Sequence, residues 1–211
     1  MTGTEGAAGR LRDRVEVLEL KSASADAPDQ SEAGPAESRG EGVSSAGVKM
    51  PQAWDWETVR RTWAQAGLMT RPNVYSVHGI GAAGVSFILR RQPLTPDSAL
   101  RWRGQHCLIT AIRPLGRLYL AVDAALVVLS RCRNPATGER FPAVLTERYA
   151  GHRQEEPMAL NTHRRVLVVP KAIRLAPGPL VEVDGMEWPI LTHYELDPHK
   201  NEYTLERTVD L

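Results

Sequence analysis

The sequence predicts a mainly β protein: tandem small β-barrels or sandwiches, with a short helix and a long loop. Three observations carry that expectation. From residue 74 onward the chain reads as short apolar or alternating runs separated by turn chemistry. A polar stretch over residues 22–53 has no aromatic beyond it until Trp54 and cannot bury enough surface to offset its ordering entropy. Finally, the chain resembles itself. Shifted by 81 residues, VSFILRRQPLTPDSALRWRGQHCLI falls on VLVVPKAIRLAPGPLVEVDGMEWPI. Val85 then meets Val166, Leu94 meets Leu175, Pro96 meets Pro177, Gly104 meets Gly185 and Ile109 meets Ile190. After four more residues of offset, Tyr119 and Leu120 meet Thr204 and Leu205. Such a duplication implies one barrel over residues 1–133 and a second over residues 134–211.

The elements follow in order. LRDRVEVLEL places Leu11, Val15 and Val17 on one side of a strand. In WDWETVRRTWAQA the spacing of Trp56, Val59 and Trp63 allows an amphipathic helix, and the alternation of Trp54, Trp56 and Thr58 allows a strand. Trp54, Trp56 and Trp63 are candidates for the core or an interface. The runs VSFILRR, ALRWRG, HCLITAI and RLYLAVDAALVVL read as strands, and after the loop RNPATGER so do FPAVLTERY, RRVLVVP, LVEVDGMEWPILTHYEL and NEYTLERTV. Asp184-Gly185 is a two-residue hairpin turn, because both residues tolerate positive φ.

Charge and composition set the function classes. Across 211 residues, 26 Lys+Arg face 25 Asp+Glu, so a global basic excess is absent. The balance hides opposed halves: residues 85–133 hold eight Arg and two Asp, and residues 181–211 hold eight acidic and two basic residues. The repeat sets Arg101 and Arg103 opposite Glu182 and Asp184. These four residues are candidates for a subunit interface, since one basic and one acidic face suit head-to-tail association. Arginines on alternate strand positions are more often a solvated face; a phosphate-binding role for Arg101, Arg103, Arg113 and Arg117 is the competing reading. No apolar stretch follows a basic start, so no secretory signal is expected, and Leu118 to Leu129 is too short and polar to span a bilayer. Cys107 and Cys132 are expected as reduced, buried thiols.

Catalytic signatures do not emerge. Gly79-x-Gly81-x-x-Gly84 runs into a strand rather than a helix, which removes the helix N-terminus a dinucleotide needs. His193 and His199 flank Asp197-Pro198 without a metal-ligand spacing. No enzyme activity, catalytic residue, cofactor or metal is expected.

The order of LRDRVEVLEL, a variable loop, WDWETVRRTWAQA and VSFILRRQPLTPDSALRWRGQHCLITAIRPLGRLYLAVDAAL resembles the phage head–tail joining family, the adaptor, stopper or head-closure connectors of tailed phages. The features are Arg12, Trp56 to Ala64, Arg90, Leu94 to Asp97, Gly104 and Leu108 to Ile112, within residues 10–130. The resemblance implies a β-barrel subunit of a ring that joins the portal to the tail and helps retain packaged DNA. It implies copies of itself, a portal or adaptor protein and a tail or tail-terminator protein as partners, with non-specific contact to DNA and no membrane. The place would be the virion neck, assembled in the host cytoplasm. In such rings a loop between the first strand and the Trp projects into the channel, which makes Glu32, Glu37, Arg39 and Glu41 candidate channel or clamped-loop residues. Two departures stand out: the loop is long, and residues 141–211 exceed the single-barrel pattern. A tail-terminator or baseplate hub component, or a nucleic-acid-binding β-barrel protein, are the alternatives.

Overall fold

β-Branched and aromatic residues in alternating runs, punctuated by Gly and Pro, give strands throughout. The computed structural model describes residues 11–23, 52–69, 83–147, 162–175 and 180–208. The strands are β1 (Asp13–Ala23), β2 (Ala53–Leu68), β3 (Gly84–Arg90), β4 (Ser98–Trp102), β5 (Gln105–Leu115), β6 (Tyr119–Val127), β7 (Ser130–Arg133), β8 (Arg140–Glu147), β9 (Thr162–Pro170), β10 (Leu180–Val183), β11 (Met186–Tyr194) and β12 (Lys200–Thr208). The fold is all-β, with no helix among the described residues.

The expected helix around Trp56 to Trp63 is instead the middle of β2, a 16-residue strand. A bulge explains why helical spacing is present. Thr58 pairs with Leu18 and Arg60 with Val17, so Val59 is an extra residue without a partner in β1. Trp56 and Trp63 lie seven apart, which a regular strand would send to opposite faces. The bulge turns both outward, and seven is also two helical turns. Because β1 and β2 run to Ala23 and Ala53, the loop is shorter at both ends than residues 22–53.

β1-β4-β5-β6-β3-β2 form a closed six-stranded antiparallel barrel, with β2 bonded back to β1. Val15, Val17, Phe87, Leu89, Leu100, Trp102 and Val122 fill it. The other six strands pair in the order β8-β7-β10-β11-β12-β9, and β8 also bonds to β9. Leu167, Val169, Val181, Val183, Trp188, Tyr203 and Leu205 pack inside that circuit. Since β7 pairs with β8 and β10, strand pairing changes over at residues 128–129, just before the expected boundary at 133.

The two circuits correspond strand for strand: β1 to β7, β2 to β8, and so on to β6 and β12. Register corresponds as well. Val15 opposite Trp102 becomes Cys132 opposite Val183, and Leu100 opposite Cys107 becomes Val181 opposite Trp188. Both β5 and β11 carry a register shift, between Ile109 and Ala111 and between Ile190 and Thr192. Arg103 and Asp184, with φ of 52° and 49°, are the non-Gly residues of positive φ among those described, each followed by a glycine in the same hairpin. The 81-residue shift holds for β4, β5 and β6 but not for β3. Phe87 faces the barrel interior as Leu167 does, so Val85 corresponds to Arg165 and not to Val166. In β6, Val122 corresponds to Tyr203, which displaces the match of Tyr119 and Leu120 to Thr204 and Leu205. Alternating strands tolerate an even slip in a sequence match; pairing fixes the odd one.

Of the Leu-x-Pro positions, Pro177 lies outside the described residues and the two leucines reach the cores. Leu94 packs against the first core and Leu175 is buried in the second. The segment before Leu175 is held firmly: Tyr203 Oη accepts the Leu175 N–H at 2.9 Å, and Asn201 Nδ2 donates to the carbonyls of Lys171 and Ile173 at 3.2 and 2.8 Å.

Nothing crowds a Cβ at Gly104 or Gly185, so their requirement is positive φ alone, 77° and 83°. Gly104→Val and Gly185→Val are each expected to lower stability by about 1–3 kcal/mol, read as a lower urea midpoint at unchanged slope.

Candidate interaction surfaces

Three surfaces emerge from this register: a seam between the circuits, the two hairpin edges, and an arginine-rich outer face.

The seam comes first, because it fixes the others. RRVLVVP is a continuous apolar run, as expected of a strand buried on both sides. In β9, Leu167 and Val169 face the second core, while Val166 and Val168 turn outward and pack with Val144 against Ala125, Leu108 and Val127 of the barrel. Leu18, Trp56 and Ala99 extend the same apolar layer. A cavity of about 10 Å³ between Trp56, Leu108 and Thr110 on one side and Pro170, His199 and Lys200 on the other has room for about one water. Beside it Lys200 and Glu202 form a buried ion pair at 3.2 Å, 9% and 1% exposed. Asp97 ties the two sides, its carboxylate accepting the Ala172 N–H at 3.1 Å and its carbonyl the Leu20 N–H at 3.3 Å.

The β1–β2 ribbon ends on the second circuit. Beyond the bulge it runs to Ala23 opposite Ala53, and Ala53 pairs in parallel with Arg140 of β8. Half-buried Trp54 packs against the second core and donates its Nε1–H to Glu139 at 2.5 Å. The long connection between β1 and β2 therefore leaves and returns where the two circuits join. Its candidate residues Glu32, Glu37, Arg39 and Glu41 lie outside the described residues, as do Gly79 and Gly81. Of the three tryptophans, Trp56 is buried in the seam, Trp54 is half-buried, and Trp63 is 57% exposed.

The hairpin-edge charges have partners within their own circuits. Arg101 on β4 is paired with Glu16 on β1 at 3.3 Å. At the corresponding positions, Glu182 on β10 is paired with Arg133 on β7 at 3.8 Å. Both signs are reversed together, as a cross-strand pair requires. Arg103 lies 4.3 Å over the Trp102 ring and 3.8 Å from Asp13, and Asp184 accepts the Arg131 N–H at 2.9 Å. Arg113, from the competing phosphate set, is held by Asp123 at 2.5 Å.

The arginines without such partners sit elsewhere. Trp63 stands opposite Arg14 on the outer face. Arg90 and Arg103 continue that row on either side, one position past the pairs Ala64–Leu89 and Val15–Trp102. Arg12, Arg61, Trp63 and Arg90 line an open groove of about 630 Å³. Among the described residues no carboxylate lies within ion-pair distance of Arg12, Arg14 or Arg90. The corresponding row of the second circuit is Pro170, Pro142, Arg131 and Asp184, so this face belongs to the barrel alone. The sequence signal for it was Arg-x-Trp in β2 beside Arg12, just before β1, and Arg14 within it, hidden by the bulge.

His106 is the perturbed titratable group of this region. Burial, then the Arg101 charge, pushes it down to about 4, against a smaller opposing pull from Asp55. Its ring lies 5.4 Å from Trp56. Burial also pushes the thiols of Cys107 and Cys132 up to about 12, so both are poor nucleophiles. They lie in separate cores. Among the described residues no His, Cys, Asp and Glu cluster could hold a metal ion.

Comparison with protein-family models, with curated proteins and with solved structures found no match.

Two outcomes follow. His106 stays neutral in the fold while the unfolded chain protonates near its ordinary 6.5, so its contribution to stability is complete above pH 6.5 and is lost as pH falls toward 4. His106→Leu is expected to remove a loss of up to about 3 kcal/mol over that window, measured by urea unfolding at pH 7 and 4.5. Glu16→Arg and Arg101→Glu each set like charges opposite and cost about 0.5–1 kcal/mol. The double variant reproduces the second circuit's arrangement and recovers most of that loss in a thermal-melt cycle.

Proposed function

We propose that this chain is a structural connector of a tailed-phage neck: a non-catalytic subunit that assembles into a ring joining the portal to the tail. The supporting observation is where the family-like features fall in the closed barrel. Arg12 leads into β1, Trp56 to Ala64 lie in β2, and Arg90 ends β3. Leu94 to Asp97 cap the barrel before β4, Gly104 turns the β4–β5 hairpin, and Leu108 to Ile112 lie in β5. The long β1–β2 connection is rooted on a braced ribbon, which suits a loop that must reach away from the body. We read the second circuit as a second barrel that arose by tandem duplication, with the shared strand order and matching bulges as support. Its place in the neck is to extend the ring toward the tail protein or to substitute for a separate connector.

Electron microscopy of the purified chain with its portal is expected to show rings; absence of both ring and portal binding overturns the reading. Proteolysis provides a second check. Cleavage within residues 24–51 is expected in the free chain and is expected to be suppressed in the assembled particle; equal cleavage in both counts against a clamped loop.

A second reading, a nucleic-acid-binding barrel, is favoured by the outer face of Arg12, Arg14, Arg90 and Trp63. Guanidinium groups flanking an exposed indole can pair with phosphates while a base stacks on the ring. Fluorescence anisotropy with single-stranded oligonucleotides tests it. Arg90→Ala is expected to reduce the slope of log affinity against log salt by about 1, and Trp63→Ala to weaken binding by about 1–3 kcal/mol; no binding at low salt removes this reading.

A further inference from the structure

The contact between the two circuits joins unlike faces. On the barrel it uses the outer side of β4 and β5, where Ala99 stands opposite Leu108 and Thr110 follows. On the second circuit it uses the outer side of β8, β9 and β12, where Val144 stands opposite Val168 and Val168 opposite Glu202. Because order and register match, each circuit carries a counterpart of both faces, and one of each pair is left over.

The leftover counterpart of the first face is on the second circuit. Leu180 stands opposite Pro189, as Ala99 does opposite Leu108, and Leu191 occupies the bulge position of Thr110. Leu180 and Leu191 are 42% and 53% exposed, an apolar pair left in water. Next to them on the same side, Glu182 stands opposite Glu187. The leftover counterpart of the other face is on the barrel. Gln65 stands opposite Ile88 and Ile88 opposite Ala121, in the places of Val144, Val168 and Glu202. All three are half-buried, and Arg90 borders them on β3. One free face is apolar with an acidic border; the other is mildly apolar with a basic border.

We infer that these two faces meet between copies of the chain, so that the barrel-to-barrel contact inside each subunit is repeated from one subunit to the next. The occupant of the Leu180–Pro189–Leu191 face is the Gln65–Ile88–Ala121 face of a second copy. Glu187 then approaches the basic border that includes Arg90, which gives the contact its polarity. Such a contact is heterologous. It closes into a ring when the rotation it repeats divides a full turn, and otherwise continues as a helical filament. The inference rests on the connector reading for ring closure alone; the contact itself rests on the matched faces.

Mass photometry of the full chain over a concentration series tests it. The wild type is expected to assemble beyond a dimer. Leu180→Asp/Leu191→Asp spoils one face and Ser86→Arg, or Ile88→Asp, spoils the other; each is expected to raise the concentration needed for assembly at least about tenfold. Far-UV circular dichroism and the melting midpoint report that each variant folds, and Ser86→Arg, at a half-exposed position, serves if Ile88→Asp does not fold. Each variant keeps one intact face, so an equimolar mixture of one from each class is expected to give a one-to-one dimer and nothing larger. A wild type that remains monomeric overturns the inference. So do assemblies that ignore both classes of variant, although a ring built through another surface would leave the connector reading standing. Assembly through these faces into open filaments, with neither ring nor portal binding, would sink the connector reading and leave this contact intact.

Discussion

The two-sided burial of β9 is the constraint on which the rest of this molecule depends. One face of the strand supplies Leu167 and Val169 to the second core, and the other supplies Val166 and Val168 to the seam. None of these four residues can change size without disturbing either a closed circuit or the contact between circuits, because protein interiors are close-packed. The seam in turn braces the β1–β2 ribbon through Trp54 and Ala53. The base of the long connection is thereby tied to Glu139 and Arg140, at the start of β8. Buried polar groups sharpen this arrangement. Beside the seam, Lys200 is paired with Glu202 at 3.2 Å and with Asp197 at 3.9 Å, so the charges taken out of water there are met by partners.

Much of the strand layout was legible because its signals are local. Asp184-Gly185 specified a two-residue turn by its tolerance of positive φ, and RRVLVVP announced a buried strand by lacking polar alternation. Self-similarity at 81 residues located the corresponding hairpins. What escaped is what pairing alone decides. The bulge at Val59 put tryptophans on one face at helical spacing, so β2 carried a helical signature without being a helix. The one-residue slip between β3 and β9 was invisible because Val166 to Val169 of β9 are apolar on both faces, so either register matches β3. Cross-strand partners were equally out of reach. Arg101 against Glu182 looked like two unsatisfied charges awaiting another subunit, because Glu16 and Arg133 are 85 and 49 residues away from their partners in the chain.

The features that single out this molecule among its described residues are surfaces. Cys107 and Cys132 are buried in the two cores and His106 lies against Trp56, and the large open groove is lined by arginines and an indole. The features that set the two circuits apart are outward ones: the Arg12, Arg14, Trp63 and Arg90 face on the barrel, and the Leu180, Pro189 and Leu191 patch on its counterpart. Two circuits of shared strand order therefore present different exteriors.

The inverted ion pairs have a consequence for how the chain finds its fold. Two circuits of the same order and register offer each strand a second berth with matching neighbours. If β1 strayed into the place of β7, Glu16 would lie against Glu182; if β7 took the place of β1, Arg133 would lie against Arg101. At this position each exchange brings like charges together, whereas the native pairs Glu16–Arg101 and Arg133–Glu182 bring opposite ones. The sign reversal therefore works as a lock and key between halves of one molecule, discouraging strand exchange in a chain whose own repetition would otherwise invite it.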